Sequence, residues 1–398
     1  MHWKKCRQSR LSVSEQKTNL NFPKVGLVLT GGGARAAYQV GVLRAIAEIL
    51  PDNVRNPFPV ICGTSAGAIN ATGLAVSADY FHEGVRQLEA VWANFHVNQI
   101  YRSDLIGVVN NTGRCLFSLI SSEFGKQQAI SLLDNSPLEK LIGRRFPFRV
   151  IQKYIRSGAL HALGLTAWGY TSGQSVTFYQ AAKSVTPWKR AQRVGVPSRI
   201  SVNHLMASSA IPFIFPAVRI NREYFGDGSM RQMTPISPAL HLGAEKVMII
   251  GVHKMADALP SRVKVTNYPP LAQIAGHALS SIFIDSLEVD LERLRRINKT
   301  LSLIPPNSLK EHNTFLRPIE SMMISPSEEI NEIAQQYAQT LPTLMRFLYR
   351  AVGAMGPNGS TLLSYVLFEA PFCQALIELG YRDAIRQESE ILQFIGVK

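Results

Sequence analysis

The chain has 398 residues, 46% hydrophobic and 18% charged, with 42 Lys and Arg against 28 Asp and Glu, for a net charge of +14. Such a composition can bury a large core and excludes a disordered chain. The cysteines Cys6, Cys62, Cys115 and Cys373 lie far apart with no C-x-x-C pair, which argues against a disulfide framework or a structural zinc and fits unpaired thiols in a reducing compartment.

Residues 1–23 carry Lys4, Lys5, Arg7, Arg10 and Lys17 against Glu15 and hold no apolar centre. They read as a basic mobile tail and not as a secretory signal. No uninterrupted run of 18 apolar residues occurs, so no membrane-spanning helix is expected. The positive charge favours anionic partners. Without zinc-finger spacing or a long basic run, nucleic acid is the weaker of these, and simple solubility is the plain alternative.

Val25–Leu29 is an apolar run that reads as a buried strand, and Thr30-Gly31-Gly32-Gly33-Ala34-Arg35-Ala36 follows at once. Ala37, Val40, Leu43, Ile46 and Leu50 then mark a helix with one apolar side. Strand, glycine loop and helix together make an anion cradle, because backbone N–H groups without side chains can converge on a negative oxygen. A dinucleotide site would need a glycine where Ala36 stands, and a phosphate loop would need Gly-Lys-Ser/Thr, which is absent. An oxyanion hole needs only the amides and a nearby nucleophile, and it is the favoured reading.

The nucleophile candidate comes 32 residues on (65 − 33). Phe58–Cys62 is β-prone, Ala66 onward is helix-compatible, and Gly63-Thr64-Ser65-Ala66-Gly67 joins them. Gly63 and Gly67 leave room for a sharp strand-to-helix turn that presents the Ser65 hydroxyl at a helix N-terminus. A small-residue turn with an ordinary serine is the alternative for the pentapeptide alone. If these are adjacent parallel strands, the glycine loop and Ser65 share one edge of a sheet.

A helix over Val85–Trp92, an apolar patch at Leu116–Ile120 and a helix start at Ser136-Pro-Leu-Glu139 come next. Leu160–Tyr170 and Ser175–Tyr179 read as strands around Thr171-Ser-Gly-Gln174. A short helix from His204 runs into a proline-stopped loop, and a hairpin turning at Asn221-Arg222 delivers Gly226-Asp227-Gly228-Ser229. An aspartate between glycines is commonly a turn. A helix near Pro235–Leu242 and a strand over Lys246–Val252 complete this part. Residues 256–398 read as mainly helical, with Leu287, Leu291 and Leu294 at helical spacing, a helix start near Ser325, and apolar helices from Leu362 onward.

With glycine loop, serine turn and Asp-Gly element in this order over residues 24–252, the chain resembles the patatin-like phospholipases, and Ala207-Ser-Ser-Ala-Ile-Pro212 is similar to their bacterial branch. Ala36 replaces the usual last glycine of the loop, and Ser229 stands where glycine or alanine is usual. The resemblance implies a three-layer α/β/α fold with a mainly parallel sheet and hydrolysis of lipid acyl esters. It implies Ser65 as nucleophile, Asp227 as base, Gly228 in the Asp-Gly motif, and backbone amides of Gly31, Gly32, Gly33 and Ala34 around the oxyanion. No cofactor or metal is implied.

The expected organisation is a tail (1–23), a catalytic domain (24–255) and a helical extension packed on it (256–398). Expected partners are a lipid ester and, reversibly, an anionic membrane surface at the cytoplasmic face, with no nucleic acid. A Ser–Asp–His esterase stays open, since His241, His253, His277 and His312 follow Asp227. So does a non-catalytic lipid- or protein-binding regulator. Gly33→Val is expected to stop turnover in a folded protein.

Overall fold

The computed structural model describes residues 24–52, 54–102, 131–255, 270–283, 285–305, 316–356 and 359–397. The tail 1–23, the patch Leu116–Ile120, His312, and the thiols Cys6 and Cys115 lie outside them. Cys62 and Cys373 are buried free thiols.

The first strand, β1 (Val25–Leu29), runs into the glycine loop and then helix α1 (Ala37–Ile49). Next come β2 (Val60–Thr64), α2 (Ala66–Ala75) and α3 (Phe81–Trp92). The two strands pair in parallel, with Leu29 opposite Gly63. Both loops therefore leave the same edge of the sheet, because a β-helix-β unit returns each strand in the same direction.

The remaining strands are β3 (Ala162–Gly169), β4 (Ser175–Ala181), β5 (Trp188–Arg190), β6 (Arg193–Pro197), β7 (Val218–Ile220), β8 (Glu223–Asp227), β9 (Lys246–Ile250) and β10 (Glu320–Ile324). The sheet order is β10-β9-β1-β2-β3-β4-β6-β5, with β8 also on β3 and β7 on β8. The five strands from β10 to β3 are parallel. Antiparallel pairs appear at β3–β4, β3–β8, β5–β6 and β7–β8.

Alternation along the strands explains the layers. Leu27, Leu29, Ile61, Met248 and Ile250 point into the core under α1, α2 and α3. Val28, Val60, Cys62, Val247 and Ile249 point the other way, against Ala239, Leu242, Leu287 and Leu291. Side chains with period two thus fill both faces of one sheet, which is the expected α/β/α sandwich.

Two features differ from expectation. Helix α1 has more than one apolar side: ten of its 13 residues are buried, because the helix Ala370–Ile385 closes its outer face. Gly41 and Gly380 make this possible, since a side chain on either would strike the backbone at Ile377 or Tyr38. The mainly helical C-terminal region also supplies β10, which sits beside β9 in register from Glu320↔Lys246 to Ile324↔Ile250. No described helix is long and apolar enough to cross a membrane by itself; Ser360–Val366 and Ala370–Ile385 pass jointly by composition but bend by 95°.

Candidate active site

Ser65 ends the β2 turn and caps α2 with φ 54 and ψ −129. A non-glycine residue at positive φ is strained, and such strain persists only where the surroundings enforce it. Here the enforcing contacts are close. A β-carbon on Gly63 would strike the carbonyl of Gly67, and one on Gly67 would strike that of Leu29. The Ser65 amide donates to Ser208 Oγ at 2.9 Å, and Ser208 Oγ donates to the Thr166 carbonyl at 2.6 Å.

Asp227 reaches the same place along the sheet. Thr64 is opposite Thr166 in the β2–β3 ladder, and Ala167 is opposite Asp227 in β3–β8. Neighbouring positions of β3 therefore connect the serine turn to the aspartate. Gly228 permits the approach, because a β-carbon there would strike the Thr166 carbonyl. The Asp227 amide donates to Ala210 O at 2.9 Å. Its carboxylate accepts from Ser229 N at 2.8 Å through Oδ1, while Oδ2 is buried with no hydrogen-bond partner.

Burial raises the Asp227 carboxyl to about 6, against the opposing effects of the Ser65 hydroxyl and of the Ser229 amide and hydroxyl. The Ser65 hydroxyl is thus near enough to favour the charged carboxylate without completing a bond to Oδ2. Ser65 is 2% and Asp227 1% exposed, so charge at either is poorly screened by water.

The glycine loop completes the group. Gly33 starts a short 3-10 turn, Gly33–Ala36, at φ 55, and Arg35 N donates back to Gly32 O at 3.1 Å. The amides of Gly32 and Gly33 donate to no acceptor among the described residues. Unpaired donors at the edge that carries Ser65 are what an oxyanion requires. Ala34 is fully buried inside the turn. A β-carbon on Gly33 would collide with the Tyr365 carbonyl, which corrects the expectation that Gly33→Val folds normally.

Arg35 is buried and turned away from this edge. Its guanidinium donates to Ser364 Oγ at 2.8 Å and Asn331 Oδ1 at 2.7 Å, and lies 4.0 Å from the Tyr365 ring centroid. It fastens the glycine loop to the C-terminal region.

The described histidines lie elsewhere. His204 bonds Ser201 Oγ at 2.9 Å and packs on Phe178, and burial lowers its pKa to about 4. His241 stacks on Trp188, His253 is 3.9 Å from Glu288, and His277 is exposed on the helix Leu271–Phe283. None of the four makes a described hydrogen bond to Ser65 or Asp227. Sequence reasoning missed Ser208 and Thr166 as supports of the turn. The Ser208-Ser209 pair in a run of small residues was visible, but its partner 143 residues away was not.

The chain belongs to the patatin-like phospholipase family, whose model matches residues 27–240. A cGAMP-activated phospholipase of Pseudomonas aeruginosa (strain BWHPSA011 / Pa011) is 25% identical over 215 residues, 54% of this chain and 55% of that protein. The chain thus spans about half the length of this curated relative. Among solved structures, VipD from Legionella pneumophila is similar at a TM-score of 0.35 and 12% identity, over 92% of this chain and 67% of that one. ExoU, in complex with SpcU from the Pseudomonas aeruginosa type III secretion system, appears in a structure similar at 0.26 and 14%, over 85% and 70%.

Proposed function

We propose that the chain is a serine acyl hydrolase that cleaves fatty-acyl esters of phospholipids or related lipids through Ser65 and Asp227. The observation that carries this reading is the unpartnered, buried Asp227 Oδ2 beside a serine held at positive φ. A serine hydroxyl needs a base to become a nucleophile, and a carboxylate raised to about 6 is a better base at neutral pH than an exposed one.

In this mechanism Oδ2 takes the Ser65 proton as Oγ attacks the ester carbonyl. The oxyanion rests on the amides of Gly32 and Gly33, each such donor being worth about 10²–10³ in rate. The intermediate collapses, the leaving alcohol takes the proton back from Asp227, and an acyl-serine remains. Water deprotonated by Asp227 then releases the fatty acid. The positions of His204, His241, His253 and His277 support the dyad over a triad.

The lipid is met at a membrane surface. Phe213 is 79% exposed at φ 64, three residues beyond Ala210, which holds the Asp227 amide. Leu132 pairs with it through a backbone bond, and Tyr224 and Met233, three residues before and six after Asp227 in the chain, are also exposed. Exposed Arg219, Arg222 and Arg231 accompany them. Apolar tips among cations suit an anionic bilayer. The division at residue 255 separates the part that bears the chemistry from a C-terminal part that acts as the back wall of the glycine loop.

A fluorophosphonate probe tests the central point. The native protein should label and Ser65→Ala should not, with loss of phospholipid hydrolysis in Ser65→Ala and Asp227→Asn. Absence of labelling in the native protein would refute the hydrolase and favour the non-catalytic regulator.

A further inference from the structure

Three buried side chains outside the catalytic group form one hydrogen-bonded chain that ends on the glycine loop: Trp92 on α3, Asn70 on α2 and Gln39 on α1. Trp92 Nε1 donates to Asn70 Oδ1 at 2.8 Å. An indole N–H can only donate, so this bond fixes which way the Asn70 amide faces. Asn70 Nδ2 then donates to Gln39 Oε1 at 3.0 Å and to Ala36 O at 3.1 Å. That fixes the Gln39 amide in turn, and its Nε2 donates to Thr30 O at 2.9 Å and Ile250 O at 3.3 Å. Every nitrogen and oxygen of the three side chains has a partner. A fully satisfied buried network of this kind rigidifies the backbone it bonds to.

We propose that Gln39 and Asn70 are positioning residues that hold the oxyanion loop in register with Ser65. The inference rests on the hydrolase reading. The loop 30–36 is held at both ends: Gln39 binds the carbonyl of its first residue, Thr30, and Asn70 that of its last, Ala36. The ladders of β1 end at Leu29, so the sheet does not hold Thr30 itself. Ile250 O ties it instead, accepting from Thr30 Oγ1 at 3.3 Å as well as from Gln39. Between the two fixed ends lie Gly32 and Gly33, whose amides donate to no acceptor among the described residues. Asn70 stands five positions after Ser65 on the helix that Ser65 caps. Helix α2 thus carries the nucleophile at its start and one of the two supports of the loop along its length. A shift of the loop against Ser65 would have to break the Asn70 bonds. Oxyanion donors work only at hydrogen-bond distance from the oxygen of the carbon under attack, and a misplacement of about 1 Å costs about a hundredfold.

The test measures hydrolysis of p-nitrophenyl butyrate and inhibition by an alkyl trifluoromethyl ketone, whose carbonyl Ser65 Oγ attacks to give an anionic tetrahedral adduct. Gln39→Met keeps the volume and removes three bonds. Asn70→Asp keeps the shape and the bond from Trp92 but removes the donors to Ala36 O and Gln39 Oε1. Each should lower kcat by about tenfold to a hundredfold and leave KM within about twofold. Affinity for the ketone should fall by the same factor, because only the adduct and the transition state place charge on that oxygen. The double variant should be at most about threefold worse than the poorer single one, since the two amides act as a unit. Trp92→Phe frees the Asn70 amide to turn over and should lose about threefold to tenfold in both readouts. It carries the test alone if the other variants do not melt cooperatively. Native kcat and native ketone affinity in the folded variants overturn the proposal. So does a lower kcat with unchanged ketone affinity, the result of a merely structural role. A native protein that neither cleaves the ester nor binds the ketone overturns the hydrolase reading itself, and this proposal with it.

Discussion

The carbonyl oxygen of Tyr365 occupies the place that a β-carbon on Gly33 would need. Gly33 also has φ 55, where a side chain is strained in any surroundings. Gly33→Ala should therefore lower stability by about 1–3 kcal/mol, and Gly33→Val by more, seen as a drop in Tm. Gly32→Ala is the better probe of the oxyanion loop. Its β-carbon would meet Cγ2 of the buried, β-branched Val252 at 2.5 Å and its Cβ at 3.3 Å, so a side chain and not a backbone carbonyl has to shift. It should melt below the native temperature but above Gly33→Val, and lose roughly a hundredfold in kcat, the scale of a 1 Å misplacement.

In the proposed mechanism ionised Asp227 is the working form, so kcat/KM should rise with pH through about 6 and level off above it. A pH profile on a soluble ester reads this directly. A rate already flat from pH 4 upward would contradict a buried carboxylate base.

The same group makes a stability prediction. Its carboxyl is raised from 3.8 to about 6 on folding, because burial disfavours charge. Its stabilising contribution is complete below the unfolded value and is lost as pH rises through about 6. At pH 8 the folded state carries the burden of a buried charge, on the order of 3 kcal/mol at most. Asp227→Asn should accordingly unfold at higher denaturant than the native protein at pH 8, by about 1–3 kcal/mol, and lose that advantage at pH 4. Hydrolysis should fall by about 10²–10⁴-fold. A difference in stability that ignores pH would count against the buried charge.

Ser208→Ala removes both the acceptor of the Ser65 amide and the donor to Thr166 O. Two buried partners are then left unsatisfied, at a cost of about 1–3 kcal/mol each. The expected kinetic sign is lower kcat with little change in KM, because Ser208 holds the turn and does not meet the lipid. Ser208→Thr keeps the hydroxyl and should recover part of both losses.

Phe213 and Met233 offer a test of membrane contact. The double change Phe213→Ser, Met233→Ser should weaken pelleting with anionic vesicles by about tenfold or more, since each apolar side chain adds roughly 1.5–3 kcal/mol when buried. Added salt should weaken the native protein's pelleting as well. Binding equal on neutral and anionic vesicles, and insensitive to salt, would remove the electrostatic part of the idea.

Much of the stretch 24–252 was legible because its signals are local. The glycine loop, the strand-to-helix turn at Ser65 and the hairpin at Asn221-Arg222 each follow from small residues at fixed spacing. The parallel pairing of β1 and β2 follows from the helix between them. What escaped the sequence depends on distant partners. Glu320–Ile324 gives no alternation of polar and apolar residues, and it forms a strand because the exposed edge of β9 is there to receive it. Arg35 stands in the glycine loop, yet its partners are Ser364 and Asn331, roughly three hundred positions away. The burial that tunes Asp227 likewise depends on the packing of several segments at once.

The contact between Gly33 and Tyr365 also orders events in time. The two are separated by 332 positions (365 − 33), so a growing chain exposes the glycine loop long before its support exists. At about 5–20 residues per second, that interval is roughly 17–66 s of synthesis. Helix α1 waits over a similar stretch for Ala370–Ile385 to cover it. An incomplete chain therefore holds Ser65 without a braced oxyanion loop. Under the proposed mechanism, a centre assembled in this order would stay idle until Tyr365 has been made, and a product truncated before it would be a poor hydrolase.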